Sequence, residues 1–182
     1  MTTWAVLATG QSMSQEIADS VRGKCKVAAV SDAINLAPWS DVLVSADGSW
    51  WRHRAPKFDG PKYTLANVPE TERVVDTPMG TNSGLLALRV AVMLGATRVL
   101  LLGIDLHGTH FFGPHTGALK NTTPQRMETF KQQFASYKPR NVEIWNCSPT
   151  SHLMAYPKAN LEKILESLVE PETSDYGKDG SV

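Results

Sequence analysis

The chain reads as an α/β protein, a Rossmann-like three-layer α/β/α sandwich with a mainly parallel sheet. Three observations point there. Hydrophobic runs of strand length alternate with stretches of helix length. The run Val99-Leu100-Leu101-Leu102 is continuously apolar, as expected of a strand covered on both faces. Short glycine-containing loops follow the first strand and precede the most apolar helix, where such folds turn from strand to helix.

The first run, Trp4-Ala5-Val6-Leu7-Ala8, leads through Thr9-Gly10-Gln11-Ser12 into a helix whose face carries Met13, Ile17 and Val21. Lys26 to Val30 and Val42 to Ala46 read as the next strands, each ending at a carboxylate, Asp32 and Asp47. From Trp50 to Gly80 the prolines at 56, 61, 69 and 78 break the pattern, so loops with edge elements are expected, with a short strand at Tyr63-Thr64-Leu65. Ser83 to Leu94 is a buried helix stopped by Gly95, and Arg98 to Leu106 is the central strand it feeds. Residues 123–136 form a further helix, Val142 to Cys147 a strand, and Lys158 to Val169 an amphipathic helix. Residues 1–169 are expected to form one domain, with 170–182 as a polar, flexible tail.

Composition excludes several function classes. Eighteen Lys and Arg cancel eighteen Asp and Glu, and 42% of residues are hydrophobic, which argues against disorder and against a coat for nucleic-acid polymers. No run reaches the roughly 18 apolar residues that span a bilayer, and no basic segment precedes an apolar one near Met1, so a cytoplasmic location is expected. Cys25 and Cys147 stand far apart and support neither a disulfide framework nor a zinc site, so both read as free thiols.

Chemistry-bearing residues collect at strand carboxyl ends. Gly10, Gln11 and Ser12 would let the backbone approach an anion, although an ordinary glycine turn with Ser12 as helix cap accounts for the same residues. Gly80-Thr81-Asn82-Ser83-Gly84 opens the buried helix with small polar groups, and two glycines exceed what capping requires. Asp105 ends the apolar strand, and His107, His110 and His115 follow closely. Histidine titrates near neutrality and serves as a general base. Asp105 and these histidines are also adequate ligands for zinc or manganese, but their spacing matches no familiar metal site, and no cofactor is expected. Arg52-His53-Arg54, Lys57 and Lys62 beside Trp50 and Trp51 could stack a base and hold phosphate, or form a solvated loop.

In order along the chain, Gly10-Gln11-Ser12, Asn82-Ser83-Gly84 with its helix ending Met93-Leu94-Gly95, Leu102-Gly103-Ile104-Asp105-Leu106, and Cys147-Ser148-Pro149-Thr150-Ser151 resemble the motifs of bacterial sialyltransferases of the Campylobacter type. They also resemble a related Rossmann-like family that includes the archaeal hydroxymethylpterin pyrophosphokinase. The resemblance covers residues 3–155 and implies a nucleotide or nucleotide-sugar ligand, with Gly10, Gln11, Ser12, Asp32, Ser83 and Gly84 facing it. It implies His115 as general base of a glycosyl or pyrophosphoryl transferase, with His110 as the fallback. Asp32 stands where that family carries asparagine, which bears on base selectivity. Nine residues separate Asp105 from His115, where the sialyltransferases insert a lid with tyrosines. Closure would then fall to the acceptor or to a neighbouring subunit of a homo-oligomer. A sequestering nucleotide binder and a metal-dependent phosphohydrolase using Asp105 are the alternative expectations.

Overall fold

A computed structural model describes residues 1–75 and 80–168. Pro78, Val169 and the expected tail from Glu170 lie outside the described residues. Among the described residues seven strands form one all-parallel sheet: β1 (Thr3–Leu7), β2 (Lys26–Val30), β3 (Val42–Val44), β4 (Lys62–Thr64), β5 (Glu72–Arg73), β6 (Arg98–Leu102) and β7 (Glu143–Asn146), in the order β5-β4-β3-β2-β1-β6-β7. The helices are α1 (Gln15–Val21), α2 (Gly48–Arg54), α3 (Ser83–Met93), α4 (Pro124–Ser136) and α5 (Leu161–Leu168), with a 3-10 turn over Ser31–Asn35. This is the Rossmann-like α/β architecture the sequence predicts.

Strand periodicity divides the core between two faces. Trp4, Val6 and Ala8 of the β1 segment pack with Val99 and Leu101 of β6 beneath α3, whereas Ala5, Leu7, Leu100 and Leu102 pack against Ala18 and Val21 of α1 and Leu165 of α5. Because both faces are covered, β6 has no polar alternation, which is why it stood out in the sequence. Each fully buried Leu of this strand contributes about 1.5–3 kcal/mol relative to exposure. Among the described residues, no helix is long and apolar enough to cross a membrane.

Several expectations require correction. The proline-punctuated stretch after Asp47 contains a helix, α2, whose Trp50 and Trp51 are buried with Leu43 and Phe58. Its basic residues Arg52, His53 and Arg54 form the last turn, where cations are favoured by the partial negative charge of the helix C-terminus, rather than a loop. Helix α1 begins after Met13, and its cap is Ser14, whose hydroxyl accepts from the Ile17 N–H at 3.2 Å; Ser12 does not cap it. β3 and β6 end at Val44 and Leu102, earlier than expected, and α5 starts at Leu161. Both cysteines are free, Cys147 buried and Cys25 half-buried.

Candidate functional site at the sheet switch point

The chain runs outward from β1 to β5 on one side, then returns to place β6 and β7 on the other, so β1 and β6 flank the point where strand order reverses. Ligands of open parallel sheets bind beyond the strand carboxyl ends at this point. A cleft of about 800 Å³ lies there, within the roughly 300–1,000 Å³ usual for small-molecule sites. Gly10, Asp32, Asp47, Asn82, Ser83, Gly84, Asp105, His110 and His115 line it; Gln11 and Ser12 do not.

The loops from β1 and β6 meet tightly at the cleft floor. The Gly10 N–H donates to the Gly103 carbonyl at 2.8 Å. A Cβ on Gly10 would stand 2.5 Å from both Asp105 Oδ2 and the Gly103 oxygen, so this glycine is required by the approach of one loop to the other. Asp105, 2% exposed, accepts the Ser12 N–H at 2.8 Å and the Ser12 hydroxyl at 2.6 Å. Ser12 is thus committed to a strand-end carboxylate. Gln11 lies against Gly108, outside the cleft.

Residues from β7 onward hold the other side of that floor. The Ser148 hydroxyl accepts the Gly103 N–H at 2.8 Å, and the Ser151 hydroxyl donates to the Ile104 carbonyl at 2.5 Å. Cys147-Ser148-Pro149-Thr150-Ser151 therefore satisfies the backbone of the β6 loop, and none of it lines the cleft.

Helix α3 opens into the cleft with its first turn. Asn82 caps it, its side-chain oxygen accepting the Leu85 N–H at 2.7 Å, and the Ser83 hydroxyl accepts the Ala46 N–H at 2.9 Å. Both side chains thus have local structural work, while the early amides of such a helix lack intrahelical acceptors. Asp47 caps α2 through the Ser49 N–H at 2.7 Å and remains exposed.

Opposite stands the segment 103–123, which contains no regular helix or strand. It is fastened to β1's loop: the Phe111 N–H donates to the Thr9 carbonyl at 2.9 Å, and His110 bridges Gly10. The rings of His110 and His115 have centroids 4.4 Å apart, and His110 stacks on Phe112 at 4.8 Å with an 8° tilt. Burial holds both imidazoles below the ordinary value of 6.5; for His110 the neighbouring His115 adds to this while Asp32 opposes it, and for His115 Asp32 opposes and Arg54 adds. Neutral rings at physiological pH are the forms that carry a lone pair. His107 also lines the cleft, but its Nε2 is 2.8 Å from the Thr150 carbonyl and its ring 4.1 Å from His152. Among the described residues no three His, Cys, Asp or Glu are grouped to hold a metal ion.

Asp32 is less free than its position suggests. It is 5% exposed, and its two oxygens accept from Trp50 Nε1 at 3.0 Å and Arg54 Nε at 2.8 Å. Sequence reasoning singled out the Trp50 to Arg54 cluster without foreseeing this pairing. It missed Lys120 and Arg126 on the cleft wall altogether; Arg126 donates to the Thr81 hydroxyl at 2.5 Å and lies over the Phe130 ring at 5.6 Å. The usable signal was a basic residue near the start of a helix that follows the histidine loop. No protein-family model, curated protein or solved structure matches the chain.

Proposed function

We propose that this cleft binds a nucleotide or nucleotide-linked small molecule and that the chain transfers a glycosyl or pyrophosphoryl group from it to an acceptor hydroxyl. The observation that carries the reading is a cleft at the switch point with the first turn of α3 on one wall and two half-buried histidines, their rings 4.4 Å apart, on the other. The α3 amides with Arg126 and Lys120 would take the phosphates. In the transfer, the acceptor oxygen bonds to the anomeric carbon or the phosphorus as the bond to the leaving phosphate oxygen breaks. The acceptor proton passes to a histidine, which contributes typically 10²–10⁴-fold. The departing nucleotide carries away the negative charge.

Incubation with CMP-, UDP- and ADP-linked compounds, with products followed by chromatography and binding by calorimetry, tests this. One compound is expected to bind and be consumed. Failure of all to bind would overturn the nucleotide reading.

The fastening of the histidine segment to Thr9 and Gly10 favours a second reading, a non-catalytic binder, because this segment is then not hinged to close over the cleft and exclude water during transfer. Tight binding with every compound returned intact would select it.

A further inference from the structure

Helix α2 ends with Arg54, beyond which Ala55 takes a left-handed conformation at φ 40°. The buried Asp32 fixes the guanidinium: one carboxylate oxygen accepts Arg54 Nε at 2.8 Å while the other is held by Trp50 Nε1 at 3.0 Å. With Nε so engaged, Nη2 stands 3.5 Å from Nδ1 of His115. The His115 backbone is gripped separately. Asn121 Oδ1 accepts its N–H at 2.7 Å, and Asn121 Nδ2 donates to its carbonyl at 3.0 Å. A residue in a stretch without regular structure is thus held at main chain and side chain together.

We propose that Arg54 and Asn121 are positioning residues that fix His115 as a hydrogen-bond donor to the ligand, leaving His110 as the base. A guanidinium has only N–H donors, so the nitrogen facing it keeps its lone pair and the single proton of neutral His115 sits on Nε2. That ring can offer an N–H to a phosphoryl or carboxylate oxygen and cannot accept a proton at Nε2. His110 differs. Its Nδ1 lies 3.0 Å from the Thr9 hydroxyl, which can accept as readily as donate, so His110 can hold its proton there and present Nε2 bare. Asp32, Asp47, Arg54 and His110 are the charged and titratable groups acting on His115. The roles toward ligand rest on the nucleotide reading, whereas the tautomer of His115 does not.

Long-range proton–nitrogen NMR on the ligand-free, nitrogen-labelled chain, above the ordinary histidine value of 6.5, reads the tautomer directly. His115, assigned by its loss in His115→Gln, is expected to show a protonated Nε2 and a bare Nδ1. An averaged or Nδ1-protonated ring would overturn the proposal. Arg54→Met is expected to release the ring into both tautomers, and a ring that stays locked in the folded variant would overturn the role of Arg54. Should that variant not fold, Arg54→Lys, which can keep the ion pair to Asp32 and lose the second contact, serves in its place. Titration with inorganic pyrophosphate, then CMP, UDP and ADP, is expected to shift the His115 Nε2–H signal. No shift with a probe that calorimetry shows to bind would overturn the donor role alone, failure of every probe to bind would overturn the nucleotide reading, and averaged tautomers beside intact nucleotide binding would overturn the positioning role alone.

Discussion

Ser12 donates twice to Asp105, through its backbone N–H at 2.8 Å and its hydroxyl at 2.6 Å, and so ties the loop after β1 to the end of β6. The pair lies across the sheet's switch point and is 93 residues apart in sequence. Hydrogen bonds to a charged group are worth about 1.5–3 kcal/mol, so Ser12→Ala is expected to lower stability by about that amount. Asp105→Ala, which removes the acceptor of both Ser12 donors at once, should cost more. Urea unfolding midpoints at constant slope check both, and a Ser12→Ala midpoint equal to wild type would mean that water replaces the hydroxyl at no cost.

Acid should destabilise the fold through the paired histidines. Both folded rings have pKa values below the ordinary 6.5, chiefly from burial. The unfolded chain therefore binds protons first as pH falls, and stability rises with pH wherever that is so. The contribution is fully present above 6.5 and is lost as pH drops from there through the folded values. Thermal melts of wild type and His110→Gln between neutral and mildly acid pH should show a shallower acid limb in the variant. A steeper one would contradict the burial argument.

Arg126 is exposed, and among the described residues its side chain touches the Thr81 hydroxyl and the Phe130 ring, so little of the fold depends on it. If phosphates lie against the first turn of α3, Arg126→Ala should weaken nucleotide binding by about tenfold, equivalent to about 1.4 kcal/mol, with an unchanged melting temperature. Calorimetry with the same nucleotide on both proteins decides it. Equal affinity would move the phosphates away from that wall.

The thiols should be inert in the native state. Burial pushes Cys25 up to about 11, with Asp41 adding to the effect, and Cys147 up to about 12. Since the thiolate is the nucleophile, alkylation near neutral pH is expected to be slow until denaturant is added. Mass spectrometry after a timed iodoacetamide pulse reads this, and fast native labelling of Cys147 would show that its segment opens readily.

How much of this was legible in the sequence depends on where the information resides. Val99 to Leu102 announced itself because a strand covered on both faces has no polar residue to interrupt it. Helix α2 was hidden because Trp50 and Trp51 sit among basic residues, and what fixes that segment is burial of the rings against Leu43 and Phe58. The α1 cap was misplaced by two residues since Ser12 and Ser14 are equivalent as sequence signals; only Asp105, reached from β6, distinguishes them. The cleft's edge was readable as strand-end acids and glycine loops. Its pairings were not, because Asp32 with Arg54 and Arg54 with His115 are chosen by distance in space.

Strand order also sets a schedule. β1 pairs with β2 soon after both are made, but its other edge waits for β6, and the bond from the Thr2 N–H to the Thr97 hydroxyl spans 95 residues. At roughly 5–20 residues per second, the ribosome needs roughly 5–20 s to supply that partner once β1 has been made. During this interval the middle of the future sheet is an open edge of Trp4, Ala5, Val6 and Leu7, the kind of exposed apolar strand that pairs with other chains. Nascent chains halted before Arg98 should therefore be the ones that chaperones hold.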